Sequence, residues 1–253
     1  VDLRFACTQC GACCRNTKIL LTVAEAVEWL NDGGQVQVMC EASRAPADAV
    51  ADAKTQHMLR RSFPASSGSL PVRVIVNLVA NITGNCPNLL PDMRCGIYER
   101  RPAICRIYPA EINPTRSVDP GAKICPPEAW SESAPALMRD GLVADADMRS
   151  DIQNWRDTDL REVGVRQRLS AILGLDEAAV SDEGFLIYSP PHATLARGLV
   201  SALKSNHGAG DPLWRLVTDR RDTLDWLAAS GAQAGPPQPR APLAYQYIGL
   251  KGS

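Results

Sequence analysis

Four cysteines within eight residues, Cys7-x2-Cys10-x2-Cys13-Cys14, constrain this chain more than any other feature. Two-residue gaps let successive thiolates turn toward one centre while the intervening backbone amides point at the sulfurs and offset their charge. Five more cysteines follow at Cys40, Cys86, Cys95, Cys105 and Cys125, and none lies in the last 128 residues. A disulfide scaffold is usually short and spreads its bridges through the fold. Nine cysteines, an odd number, crowded to one end of 253 residues read instead as thiolate ligands in a reducing compartment.

The C-x2-C-x2-C spacing also opens the bacterial ferredoxin run, whose remote fourth ligand precedes a proline. Two remote pairs of that kind are present, Cys86-Pro87 and Cys125-Pro126. Zinc ribbons use C-x2-C pairs too, but they need a second close pair, and none exists between Cys86 and Cys125. Spacing therefore favours an iron–sulfur cluster, most simply 4Fe-4S, with zinc or mononuclear or dinuclear iron as the alternative. Adjacent Cys13 and Cys14 cannot easily turn both sulfurs the same way, so they serve two sites or one is a spectator. Cys40 has no cysteine near it and reads as a small core hydrophobe.

Charge excludes several function classes. Lys+Arg 27 against Asp+Glu 28 leaves a formal net charge of -1. On either side of Trp130 the chain carries 14 and 13 basic residues against 12 and 16 acidic ones, so neither half forms a basic face for nucleic acid or anionic lipid. No apolar run approaches the ~20 residues of a membrane helix. The opening VDLRFACTQC does not resemble a signal peptide, which makes the cytoplasm the expected location.

The pattern along the chain predicts an α+β fold in two parts. Residues 1–130 form a small cysteine-rich metal-binding region of short strands and helices. Residues 131–253 form a mostly α-helical half packed on it, with a Pro-rich tail. Lys18–Leu21 reads as a strand, and Thr22-Val-Ala-Glu25 has the spacing of a capping box opening a helix that Gly33-Gly34 ends. A second helix is expected from Pro46 to Arg61, then a loop from Phe63 to Ser69. The alternation from Val72 to Val79 predicts a strand with one well-buried face. Cys86 to Tyr98 reads as a hairpin turning at Pro91-Asp92 with a cysteine on each arm, and Glu99 to Pro109 as a short helix bounded by prolines. Further helices are expected over Asp147–Leu173, His192–Ser205 and Pro212–Ala229, and a polyproline-like strap over Ala234–Pro242. No phosphate loop or GxGxxG pattern occurs.

Phe5-x-Cys-x2-Cys-Gly-x-Cys-Cys14, the strand and Thr-led helix after it, Cys95-x-Ile-Tyr-Glu-x-Arg-Pro102 and Cys105-Arg-x-Tyr-Pro109 together resemble the bacterial CxxCxxCC cysteine-cluster family, described as a zinc- or iron-chelating domain. The resemblance covers Phe5 to Cys125 and implies metal ligands at Cys7, Cys10, Cys13, Cys14, Cys86, Cys95, Cys105 and Cys125, with Cys40 outside the pattern. A related branch, flagellin lysine N-methylase, resembles the chain in the same blocks. It implies S-adenosylmethionine beside an iron–sulfur cluster and a methyltransferase-like activity on a small-molecule or protein substrate.

Arg101 and Arg106 flank Cys105, where guanidinium groups would offset thiolate charge and fork onto a substrate carboxylate or phosphate. The plainer reading pairs them with Glu99 or Glu111. Tyr98 and Tyr108 are expected to lie over the site as a lid rather than act as acids. These four are the candidate substrate-binding residues; no catalytic residue is legible. His57, His192 and His207 each stand alone and are not expected to ligate. Two classes remain: an enzyme acting at or beside the metal, and a non-catalytic zinc module that binds a partner through its helical half.

Overall fold

A computed structural model describes residues 2–46, 52–205, 210–238 and 244–250. In chain order the elements are β1 (Leu3–Arg4), β2 (Arg15–Leu21), α1 (Val23–Asn31), β3 (Val36–Arg44), α2 (Ala53–Arg60), β4 (Phe63–Ser67), β5 (Leu70–Asn85), α3 (Ala103–Ile107), β6 (Ala136–Arg139), β7 (Leu142–Val143), α4 (Ala146–Arg161), α5 (Val163–Leu173), β8 (Glu177–Val180), β9 (Gly184–Tyr188), α6 (His192–Lys204), β10 (Arg215–Val217), α7 (Arg221–Ala229), β11 (Ala234–Gly235) and β12 (Tyr245–Gly249). The α+β reading holds.

One nine-stranded sheet organises the molecule, and β5 is its spine. The antiparallel partner along one edge of β5 is β3; the other edge is shared by β4 near its start and β2 near its end. The predicted Val72–Val79 strand is this element, but both its faces are buried over much of its length, because Ile75, Asn77 and Val79 are covered as well as the Val72–Leu78 row. Phe63–Ser67, expected as loop, is β4: its sequence FPASS lacks a strong strand pattern, and the ladder with β5 decides. The connecting turn uses Gly68 at φ +56°, where a Cβ would lie 2.2 Å from the Gly231 carbonyl oxygen.

Among its described residues the half after Trp130 contains four helices, yet it also supplies five strands of the central sheet, β8 to β12, so "mostly helical" describes only part of it. β3 pairs with β9 through Val38–Cys40 and with β8 through Glu41–Ala42. β10 runs parallel to β8 and β11. The expected helix over Pro212–Ala229 is thus β10 followed by the shorter α7; Trp214 and Val217 go into the core, and only the later stretch is helical. Cys40, read as a small core hydrophobe, sits in β3 and is fully buried in the core. Its thiol is pushed well above the ordinary range by that burial. The expected helix Pro46–Arg61 is described as α2 from Ala53; residues 47–51 lie outside the described residues, as do His207 and residues 239–243 of the strap.

The Thr22 capping box forms as the spacing predicts: Thr22 Oγ1 accepts from the Glu25 amide at 3.2 Å and Glu25 accepts from the Thr22 amide at 2.9 Å. Glu162 accepts from the next amide, Val23, with both oxygens at 3.0 and 2.9 Å. Glu162 also divides the stretch expected as one helix over Asp147–Leu173 into α4 and α5. Helices α1, α5 and α6 bury their apolar stripes in the main core, α1 and α5 against β5 and α6, with Leu195 and Leu199, against α5 and α1. A second, smaller core of Ile107, Ala110, Leu137, Ile152 and Trp155 joins α3, α4 and β6. The tilted pair Phe5–Trp130, 4.9 Å apart, ties the N-terminal loop to this side of the molecule.

Candidate metal centre

The site assembles at one end of β2 and β5. Cys14 immediately precedes β2 and Cys86 immediately follows β5, and the antiparallel register sets Arg15 opposite Asn85. Segments 70 residues apart therefore meet, and the Cys86 amide donates to the Cys14 carbonyl at 2.7 Å. The loop after Cys86 closes on itself as the expected small hairpin, with Leu89 bridging Cys95 and the Met93 amide donating to Leu90. Gly11 packs into this loop at φ +70°, where a Cβ would lie 2.7 Å from Met93 Cε and 2.8 Å from the Met93 carbonyl oxygen. Only a residue without a side chain lets the two cysteine loops approach so closely.

Helix α3 brings Cys105. Pro102 and Pro109 bound it as expected, and Glu25 accepts from the Ala103 amide at 2.7 Å, so the carboxylate that caps α1 also anchors the first turn of α3. Cys125 arrives on the loop before Trp130 and is held by Tyr108, whose hydroxyl accepts from the Ile124 amide at 3.0 Å and donates to the Cys125 sulfur.

All eight cysteines that the resemblance implies as ligands line one cavity of about 260 Å³, and Cys40 is not among them. Cys7, Cys10 and Cys13 are exposed at its mouth, Cys14, Cys95, Cys105 and Cys125 are half-buried, and Cys86 is buried. Backbone amides point at sulfurs as the spacing suggests: Gln9 donates to Cys7 Sγ at 3.4 Å, and Asn88 donates to Cys86. Cys14 has Cys13 and Cys86 as neighbours, and hydrogen bonding with its single S–H brings each of the latter down to about 6, while Cys14 itself is raised. Burial, reinforced by the Cys13 and Cys86 charges, raises Cys105 to about 12. Burial also raises Cys125, whose charged neighbours are Cys13, Cys10 and Cys7. Among the described residues no three ligating side chains already stand at the spacing of one ion, so the sulfurs surround the space rather than meet at a point.

Of the candidate substrate-binding residues, Tyr98, Tyr108 and Arg101 line the cavity and Arg106 does not. Arg106 forks onto Asp151 of α4 at 2.9 and 3.0 Å, a carboxylate 45 residues away rather than Glu99 or Glu111; Glu111 pairs with Lys123. The Arg101 guanidinium lies 3.6 Å over the Tyr98 ring, and its Nε donates to the Tyr98 carbonyl at 2.7 Å. The Tyr98 hydroxyl donates to Cys7. Burial raises both tyrosines, Tyr108 to about 12, so both hydroxyls stay protonated and act as donors to sulfur.

Residues not read from the sequence complete the site. Phe5, Ile19, Trp29, Ile97 and Ile104 extend the cavity as an apolar wall beside the sulfurs. Their burial depends on which strands meet, so no local signal marks them. Glu25 could be read only as a cap. His192 Nε2 lies 2.9 Å from the Leu30 carbonyl oxygen, away from the cysteines.

A thiolate-lined cavity with amides aimed at its sulfurs is the donor set of a soft or borderline metal. Residues 6–126 match the model of the CxxCxxCC family, whose description is "Putative zinc- or iron-chelating domain", so this stretch of the chain is similar to a chelating domain of that kind. The match spans both cysteine blocks and stops one residue after Cys125. No curated protein and no solved structure matched the chain.

Proposed function

We propose that Cys7, Cys10, Cys13, Cys14, Cys86, Cys95, Cys105 and Cys125 hold iron as an iron–sulfur cluster, and that a substrate binds beside it. The observation that carries this reading is the single cavity on which all eight thiols open. A space of about 260 Å³ far exceeds the ~10–15 Å³ that a water-sized ligand needs, which favours a group larger than one ion.

The charges around each sulfur support a division of the ligands in two. Cys125 feels Cys7, Cys10 and Cys13; Cys105 feels Cys13, Cys86 and Cys95; Cys14 feels Cys13 and Cys86. Cys13 belongs to both groups, which supports an outer set at the cavity mouth and an inner set against the core, joined at Cys13. Bound there, an iron–sulfur cluster supplies one-electron transfer or an open, Lewis-acidic iron. The chain's own part is to hold and insulate it. Tyr98 and Tyr108 donate to the outermost sulfurs, backbone amides offset thiolate charge, and the apolar wall excludes water. Arg101 is the cation placed to receive an anionic substrate group. Methyl transfer from S-adenosylmethionine, implied by the resemblance to flagellin lysine N-methylase, would use the apolar end of the cavity.

The test is anaerobic purification with elemental analysis and a visible spectrum. We expect brown protein with broad absorption near ~400 nm and inorganic sulfide. Cys10→Ser or Cys13→Ser should bleach the colour and lower the melting temperature together, since thiolate ligation orders this loop-rich region. Colourless anaerobic protein with stoichiometric zinc and no sulfide would replace this reading with the zinc module.

A further inference from the structure

A second cavity, about 270 Å³, lies between α2, α4 and Pro114, away from the cysteines. Its walls carry His57, Arg60 and Arg61 from the α2 side and Arg156, Asp157 and Asp159 from α4. The two carboxylates are already engaged. Asp159 is held by Arg61 at 3.0 Å and by Arg166 at 2.7 Å, and Asp157 accepts from Gln153 at 2.9 Å. The cations are not all matched. Arg156 spends only Nε, on the Ile112 carbonyl at 2.7 Å, and Arg60 has no hydrogen bond or ion pair to any described residue.

His57 adds the decisive feature. Its Nε2 is enclosed and has no hydrogen-bond partner. A buried ring nitrogen left unpaired is costly, and native structures reserve such groups for water, ions or ligands. Burial and the charges of Arg61, Arg156 and Arg60 hold the ring neutral, with Asp159 opposing them. A neutral imidazole beside two guanidinium groups with free N–H donors is the environment of an oxyanion, because the donors can fork onto its oxygens and its charge relieves the crowding of cations.

We propose that this cavity binds a small oxyanion, phosphate or the phosphoryl group of a larger ligand, through Arg60, Arg156 and His57. The site is independent of the metal centre. It is nonetheless mechanically connected to it, since α4 also carries the Asp151 that holds Arg106 beside Cys105.

The experiment is an NMR titration of the full chain with inorganic phosphate and, separately, with glycerol phosphate, following the His57 ring. The chain has three histidines, so His57→Gln assigns the signal. We expect saturable movement of the His57 resonances and an upward shift of its pKa when the anion binds. Arg60→Gln, at an exposed position, should weaken binding by at least about ten-fold, the loss expected when one charge-assisted hydrogen bond goes. Tighter binding of the ester supports a phosphoryl-bearing ligand, and equal binding supports free phosphate. Movement no larger than chloride gives at matched ionic strength would overturn the site. So would an Arg60→Gln variant that binds both anions as the parent does.

Discussion

Cys40 and Cys10 separate two uses of the same side chain. Cys40 lies in β3 with no exposed surface, surrounded by the main core, whereas Cys10 is exposed at the cavity mouth. Cys40→Ala should therefore keep the full metal content of the parent. Cys40→Ser should also keep it while losing about 1–3 kcal/mol of stability, because the new hydroxyl is buried in an apolar setting. Metal analysis alongside thermal melts checks both statements, and loss of a full metal equivalent from Cys40→Ala would place a ninth ligand in the site. Gly11 makes a different residue-scale demand. Gly11→Ala forces a Cβ into Met93 at a positive φ, so it should destabilise the protein by about 1–3 kcal/mol and loosen metal with every cysteine intact. Faster loss of metal to a chelator than from the parent is the expected measurement.

At the scale of elements, Glu25 connects the capped start of α1 to the start of α3 and hence to Cys105. A cap residue contributes typically ~1 kcal/mol, and here two half-buried amides share one carboxylate. Glu25→Ala should lower the melting temperature and accelerate metal release, although residue 25 touches no sulfur in the cavity lining. Parent-like release kinetics in a destabilised variant would mean that packing on α4 and β2 suffices to hold α3. The capping box itself was legible in the sequence because its partners lie three residues apart. The second use of Glu25 was not, since Ala103 is 78 positions away. The same distance effect explains Arg106: its local carboxylates suggested Glu99 or Glu111, but the packing of α3 on α4 delivers Asp151. Strands were harder to read than helices for a related reason. β3, β8 and β9 were not anticipated and β4 was read as loop, because short strands take their identity from neighbours they pair with.

Across the whole molecule, β3 is the seam between the two halves. Among the described residues its outer edge is covered by β8 and β9, which lie beyond Trp130. A fragment ending at Trp130 would expose that edge together with the face of β5 that α5 covers, a template for edge-to-edge association. Such a fragment should aggregate even when metal-loaded, as size-exclusion chromatography would show; a well-behaved monomer would make the halves independent domains. No helix among the described residues is long and apolar enough to cross a membrane. The sequence by itself determined that cysteines cluster at Cys7–Cys14 with the spacing of thiolate ligands, because that spacing is a local feature; the full set of eight came from the resemblance to the CxxCxxCC family. The sequence also determined the α1 cap and the proline bounds of α3. Only the tertiary structure decided that these cysteines share one cavity, that Arg101 rather than Arg106 faces it, and that an apolar wall adjoins it. Those outcomes depend on the register of β2 with β5 and on β8 to β12 entering the same sheet, and register is set by the burial of whole faces, which no short stretch of sequence contains.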